Sequence, residues 1–400
     1  MLVETETDYL TQIVGRYLKI EDITSGDAKK GYLVRYRGQL YGDSAEAYDQ
    51  MATQLKPYDI TPLFRRDKQQ AVVLLLKGVL NPTPSNPWIN LLFFGLTAFS
   101  VLIVGALTVI GSTYQGPPID NEIQLYRLAL QNLALGLPYA VALLSILLAH
   151  EFGHYFAGRL HKTHVTLPYF IPLPFPPLGT MGAAIRMKEP PRNKRILLDI
   201  GLAGPFAGLL VAIPVLIYGL SLSTVQALPN NLQGLQLEGN SILYLFTKYL
   251  VFQQWLPAPG SYGDISPLAY WIRYFFTGSP APQGGLDVMI HPVAWAGWVG
   301  LLVTALNLIP AGMLDGGHIV YTVFGRKAQL LWPFILAALF LLGFTWPGWW
   351  LWAGIVFLFG RLYAEPLDQI TTLNPGRKWL ALAGLVVFFL VFIPVPLQLY

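Results

Sequence analysis

Apolar and polar positions divide the chain into two unequal parts. Over residues 1–80 they alternate on short periods, and beyond residue 88 long apolar runs take over. In the first part, DYLTQIVGRYL and SAEAYDQMATQL carry apolar residues three and four apart, which predicts two helices, the second capped by Asp43 or Ser44. GYLVRYRGQLY and AVVLLLKGVL predict strands. KGVLNPTPSNPW, residues 77–88, has the Pro/Asn chemistry of a linker. Seven apolar segments follow, at 89–111, 135–159, 197–221, 290–312, 328–344, 346–364 and 378–396. Most approach the length of about 20 residues that crosses hydrocarbon. The fifth and sixth are short and joined by TWPG, which predicts a tight helical hairpin. The expected fold is a polytopic α-helical membrane protein. It has about seven transmembrane helices over residues 86–400, preceded by a small soluble α+β domain over residues 1–85.

Composition agrees with the pattern. Of the 400 residues 12% are charged, half of the roughly 25% usual in soluble domains. Residues 1–85 hold 11 of the 26 Lys+Arg and 11 of the 22 Asp+Glu, so the polar part is confined to one end. Basic residues in the connections set orientation. With residues 1–88 in the cytoplasm, twelve basic residues between Arg159 and Lys378 fall on the cytoplasmic side, and only Arg127, Lys248 and Arg273 fall opposite. This places HEFGH (150–154) and NLIPAGMLDGGH (307–318) at the same depth near the cytoplasmic face. No basic run is interleaved with aromatics, so no nucleic-acid partner is expected. The chain has no cysteine, which excludes disulfides and Cys-based zinc sites. The opening MLVETETDYLTQ is acidic and has neither the basic-then-apolar order of a secretory signal nor the Arg/Ser richness of a transit peptide.

Two connections stand out. Residues 165–187 are apolar but too proline-rich for a spanning helix, which predicts a re-entrant loop lining a cavity. Within it GTMGAAIRM could pair with an unwound substrate strand, the bland alternative being an interfacial loop that merely packs. Residues 222–289 form the longest connection, an extracytoplasmic loop. Its ILYLFTKYLVFQQW and PLAYWIRYFF suit the membrane interface better than a span.

The candidate chemistry begins at His150, Glu151 and His154. Histidines four apart share one helix face, one turn from each other, and suit a single metal ion such as zinc. Glu151 adjoins the first histidine, where it can take a proton from the attacking water instead of binding the ion. The alternative is a buried histidine pair bonded to neighbouring helices. Ionisable groups in hydrocarbon are costly, which favours function. A third ligand is needed. Asp315 is best placed, because Pro310 ends the helix near Asn307 and Gly312, Gly316 and Gly317 let the chain turn the carboxylate back; a solvated turn aspartate is the alternative. Asp199 competes, though pairing with the preceding basic KEPPRNKR or capping suits it better. Gly201, Gly204 and Gly208 have the spacing of close helix packing. His161, His164, His291 and His318 fall at membrane edges as loop residues, with His318 near enough to Asp315 for an outer contact. The tryptophans, dense in WPGWWLW, suit an interfacial belt.

HEFGH on an apolar helix followed by Asn307-x-x-Pro310-x-x-x-x-Asp315-Gly316 resembles the site-2 protease family of intramembrane zinc metalloproteases, with every fixed position of both motifs matched. The likeness covers roughly residues 85–365, and HEFGHYFAGRLHKTHVTLPYFIPLPF, GTMGAAI and DIGLAGPFAG resemble the cyanobacterial and plant-chloroplast branch. The resemblance implies His150, His154 and Asp315 as ligands of one catalytic Zn2+, Glu151 as catalytic base, and Asn307 as a group holding substrate or the developing oxyanion. It implies hydrolysis of peptide bonds in or near transmembrane segments of substrate proteins, as in regulated intramembrane proteolysis. It also implies a multi-pass protein of a bacterial (cyanobacterial) plasma or thylakoid membrane. A regulator could bind the N-terminal domain. Metal transport along a polar relay and a silent membrane scaffold are the competing classes. Clustering of the polar groups at one depth disfavours the first, and intact motifs disfavour the second.

Overall fold

A computed structural model describes residues 4–26, 31–79, 83–117, 119 and 121–400. Residues 80–82 of the 77–88 linker lie outside the described residues. The N-terminal part holds α1 (Glu4–Gly15), β1 (Leu18–Ser25), β2 (Val34–Leu40), α2 (Ser44–Leu55), β3 (Ile60–Asp67) and β4 (Gln70–Lys77). The four strands form one antiparallel sheet in the order β1-β2-β4-β3. Both helices pack Leu10, Ile13, Val14, Tyr48 and Met51 onto Tyr36, Phe64 and Val73 of the sheet. The cap of α2 is Asp43, whose carboxylate accepts from Ala45 N–H at 3.0 Å.

The sheet has two strands that periodicity does not predict. In β1 the pairing shifts between Ile20 and Asp22, so its apolar residues lose strict alternation. β3 carries Pro62, which suits a sheet edge because proline has no N–H to donate. That edge is covered. Phe64 N–H donates to Leu367 O at 3.0 Å and Gln369 N–H donates to Phe64 O at 3.1 Å. Arg65 donates to Leu367 O at 2.8 Å, and Leu367 and Ile370 pack against the domain core. Arg195 grips Asp43 at 2.6 Å from the far side. The N-terminal domain is thus docked on residues 365–372.

The remainder is mostly helical. It runs through α3 (Pro87–Thr113), α4 (Glu122–Gln131), α5 (Leu137–Leu160), the hairpin β5 (Tyr169–Pro172) and β6 (Thr180–Ala184), and α6 (Lys194–Ser221). Next come β7 (Thr224–Ala227), β8 (Gln236–Glu238), α7 (Ile242–Phe252), α8 (Pro267–Thr277) and β9 (Leu286–Met289). Last are α9 (Pro292–Asn307), α10 (Asp315–Phe324), α11 (Trp332–Leu342), α12 (Gly348–Phe359), α13 (Pro375–Val391) and β10 (Leu397–Leu399). All seven apolar segments contain helix. Among the described residues four helical stretches are long and apolar enough to cross a membrane: Pro87–Thr113, Leu133–Leu160, Lys194–Ser221 and Asp315–Leu342. The helices α9, α12 and α13 have 16, 12 and 17 residues. The stretch 315–342 begins earlier than the expected 328. Residues 313–327 read as a loop, yet α10 forms there and continues through a tight turn at Gly325–Leu331 into α11. Arg326 and Lys327 therefore sit within this stretch, with Arg326 3.6 Å from Glu365.

The core is built where α5, α6 and α9 meet, from Leu143, Ile146, Leu209, Ala212, Trp298 and Leu301. Small residues let the helices close on each other. A Cβ at Gly153 would meet Ala203 O at 2.5 Å, and one at Gly297 would meet Leu216 Cα at 2.7 Å. Trp349 is fully buried and donates to Pro394 O at 2.6 Å, so this part of WPGWWLW is core instead of belt.

The 222–289 connection forms a cap with α7 and α8 as the two expected aromatic helices, a β7–β9 sheet, and a second sheet in which β8 pairs with the C-terminal β10. Lys248, one of the three basic residues expected opposite the cytoplasm, is fully buried. Its Nζ lies 3.7 Å from Asp287 and 4.5 Å from the Tyr244 ring centroid. Tyr244 donates to Glu238 at 2.8 Å. Glu238 and Asp287 are both buried and within electrostatic reach of each other and of Lys248. Burial, then the charge of Asp287, raises the Glu238 pKa from 4.5 to about 7. A carboxyl raised in the folded state stabilises the fold below its unfolded pKa, and that contribution is lost as pH rises through the folded value. The cap should therefore resist proteolysis best near pH 4.5 and loosen as pH climbs to about 7. Glu238→Gln should flatten this dependence, as read by limited proteolysis of residues 222–289 across that range.

Candidate metal centre

Three side chains from two helices converge. On α5, His150 and His154 are one turn apart, and both are buried at 3% and 6% exposure. Asp315 is the first residue of α10. His150 Nε2 is 3.4 Å and His154 Nε2 3.3 Å from Asp315 Oδ2, and the two Nε2 atoms are 3.2 Å apart. These are the described residues whose donor atoms could hold one ion, all within 4.8 Å of one another.

The donor chemistry fits a cation. His154 Nδ1–H donates to Ile200 O at 2.7 Å, which leaves Nε2 of the neutral ring as a bare lone pair. That lone pair points at another imidazole nitrogen and at a carboxylate oxygen. With the His150 proton on Nδ1, three lone pairs face one another, an arrangement that a cation between them satisfies. Tetrahedral ligands about 2.0–2.1 Å from zinc lie about 3.3 Å from each other, which the observed separations match. The residues present fit zinc.

Local sequence explains the convergence. Pro310 lacks an N–H, and α9 stops at Asn307. Gly312 turns the chain at φ +58°, where a Cβ would strike Phe359 O at 2.5 Å. Gly316 and Gly317 serve a different purpose from the predicted turn. Both lie inside α10, and a Cβ on either would meet backbone oxygens of the 308–312 segment at 1.9 and 2.2 Å. They let the start of α10 seat against the end of α9.

The glycines of α6 make room for the imidazoles. A Cβ at Gly204 would lie 2.1 Å from His154 Nε2, and one at Gly208 would lie 3.2 Å from His150 Cβ. Close packing is the right reading of the stripe, and what packs there is the candidate metal site.

Glu151 lines the same cavity, is 4% exposed, and has Oε2 without a hydrogen-bond partner. Asn307 reaches it from the end of α9, with Nδ2 3.5 Å from His150 Nε2. The cavity has a volume of about 180 Å³, and its far wall is Ala183, Ala184 and Ile185 at the end of β6. β6 pairs on one side with β5, at Tyr169↔Ala184 and Phe170↔Ala183, in a two-stranded sheet.

The sequence reading differs from the structure at Asp199 and His318. Asp199 neither pairs with the adjacent basic stretch nor caps α6, which Asn193 does. Its carboxylate takes Arg377 at 2.6 Å and His161 at 2.9 Å, lacing α6 to α13 and to the end of α5. His164 and His291 are loop residues as expected, the first paired with Glu189 at 2.8 Å and the second capping α9. His318 is not a loop residue but lies in α10, buried on the cavity wall. The apolar run IVYTVF after the glycines marks a buried element, though a run this short does not tell helix from strand.

Comparison with known proteins gives a consistent result. The model of peptidase family M50 matches residues 138–342. The "Probable zinc metalloprotease EGY1, chloroplastic" of Arabidopsis thaliana is 31% identical over 338 residues, 80% of this chain and 56% of that protein. The rice (Oryza sativa subsp. japonica) protein of the same description is 31% identical over 350 residues, 80% of this chain and 54% of that one. The "Probable zinc metalloprotease EGY2, chloroplastic" of Arabidopsis thaliana is 28% identical over 386 residues, 94% of this chain and 62% of that one. The chain thus spans a little over half the length of these curated relatives. No solved structure matches it.

Proposed function

Because the chain belongs to peptidase family M50, we propose that it is a zinc-dependent endopeptidase that cuts membrane proteins in or near their transmembrane segments. The observation that carries this reading is the trio of acceptor atoms on His150, His154 and Asp315, 3.2–3.4 Å apart beside an unpartnered Glu151 oxygen. In this account His150, His154 and Asp315 hold the ion. Zinc, when bound, supplies Lewis-acid polarisation of the scissile carbonyl and the attacking water. Glu151 accepts the proton of that water and passes it to the leaving amine. Asn307 donates from Nδ2 to the oxygen that gains charge. The bond from His154 Nδ1 to Ile200 O fixes the tautomer and leaves Nε2 as the nitrogen that would hold the ion.

A helical substrate hides its peptide bonds, so cleavage requires local unwinding. The β6 edge beside the cavity suits an unwound strand, because β6 is paired only on its β5 side among the described residues. Proline placed at Ala183, Ala184 and Ile185 in turn should cut cleavage at least about tenfold at one or more positions, because it removes a ladder donor. Zinc content should not change. Unaltered cleavage in all three variants removes strand pairing from the account.

We read residues 86–400 as a seven-span membrane domain, with 165–187 re-entrant and 222–289 outside the cytoplasm. Residues 1–85 form a cytoplasmic domain where a regulator could dock. The chloroplast setting named for the plant relatives suits a photosynthetic membrane, thylakoid or cyanobacterial plasma membrane. The test is cleavage of a single-pass protein by the full chain in lipid vesicles. Cleavage that stops with a zinc chelator and returns with added zinc supports the reading. Cleavage indifferent to chelation, or none with zinc bound, contradicts it.

A further inference from the structure

The geometry points to His318 as a further catalytic residue, one that hydrogen-bonds the substrate peptide beside the scissile bond; this rests on the proteolytic reading above. His318 lies one helical turn after Asp315 on α10 and is 7% exposed. It lines the same cavity as His150, Glu151, His154 and Asn307. It does not belong to the group whose donor atoms could share an ion. Its ring lies against the α6 glycine face, where a Cβ at Gly201 would be 3.0 Å from its own Cβ. Asp315 and His154 are within electrostatic reach of it. Its Nδ1 is buried and has no hydrogen-bond partner.

A buried imidazole nitrogen without a partner costs free energy, and such groups in native sites call for an explanation. A packing role would be filled as well by an apolar ring. An imidazole placed there adds a hydrogen-bonding ring to the cavity lining, and its Nδ1 has no partner within the protein. Asn307 stands next to His150, whereas His318 stands by Gly201 near His154. The two neutral polar groups therefore flank the candidate ion position from different helices. An extended peptide running along β6 presents a backbone carbonyl and an N–H to that cavity, which is the ligand chemistry an imidazole satisfies. His318 holds that peptide group as charge develops on the adjacent scissile carbonyl.

The test uses the full chain in lipid vesicles with a single-pass protein substrate, comparing H318F with H318Q. Phenylalanine keeps the ring volume and loses hydrogen bonding, and glutamine keeps a donor and an acceptor. Expected for H318F is a kcat lower by about 10²-fold, the loss typical of one transition-state donor, with KM within about twofold. One zinc per chain and the wild-type melting temperature should be retained. H318Q should recover at least about tenfold of the lost kcat. Wild-type kcat in H318F overturns the inference. Equal losses in both variants with zinc intact also overturn it, as does loss of zinc in step with activity, which assigns the residue to metal retention. If H318F does not fold, H318A decides: added imidazole that restores kcat upholds the inference, and no restoration overturns it. Failure of the wild type to cleave, or cleavage by E151Q, counts against the proteolytic reading itself, whatever position 318 does.

Discussion

Glu151→Gln should lower kcat by about 10²–10⁴-fold, the contribution of a positioned general base, while one zinc per chain stays bound. The carboxylate lies in the candidate site but outside the trio of acceptors, so replacing it leaves that trio complete. Glutamine has the same shape and loses only the ability to accept and return a proton. Glu151 is 4% exposed and one of its oxygens has no partner. The variant removes a buried carboxylate whose Oε2 was unsatisfied, so the fold should be no less stable. Steady-state cleavage of a single-pass substrate, with metal analysis of the same preparation, checks both halves. Turnover near wild type would take the base role from Glu151. Zinc loss with turnover loss would make it a ligand instead.

Gly204→Ala should empty the metal site without touching any candidate ligand. The added methyl would sit 2.1 Å from His154 Nε2, well inside van der Waals contact and on the side of the ring that faces the ion. The clash has no cheap escape. Nδ1 of the same ring is tied to Ile200 O, one turn earlier on α6, and α6 is packed on α5 along its length. Either His154 turns away or the helices part, and overpacking of this kind typically costs about 1–3 kcal/mol. Zinc affinity should fall at least about tenfold, and cleavage with it. Gly208→Ala is the graded control, because its methyl would meet His150 Cβ at 3.2 Å, a contact that a few tenths of an ångström relieve. Competition with a calibrated zinc chelator ranks the three proteins. Equal affinities for wild type and Gly204→Ala would show that α6 does not shape the site.

Legibility in the sequence followed locality. His150 and His154 are fixed relative to one another by one helix, so spacing alone puts them on one face with Glu151 beside them. Asp315 was legible because Pro310 and Gly312 leave few ways to run the chain from α9, though the start of α10 at Asp315 was not. Two adjacent glycines read as loop, yet they seat α10 against backbone oxygens of the preceding segment. Partners distant in the chain were not legible. Asp199 finds Arg377 and His161, Lys248 finds Asp287, and Gly204 finds His154, and no local pattern names these pairs. In the N-terminal domain, the bulge in β1 and Pro62 in β3 hid two strands of a sheet whose other two have clear apolar runs. Docking of that domain on residues 365–372 depends on backbone bonds made by Phe64 and Gln369, which any residues could supply.

The account rests on one ion held by two imidazoles of α5 and a carboxylate of α10. The most direct test is the metal content of the purified full chain, measured for the wild type and for Asp315→Ala. Asp315→Ala keeps HEFGH intact and removes only the third acceptor, 3.3–3.4 Å from both histidines. One zinc per wild-type chain and a small fraction of that in Asp315→Ala is the predicted result. A wild-type chain that holds no zinc, or an Asp315→Ala variant that holds a full equivalent as tightly, would contradict it.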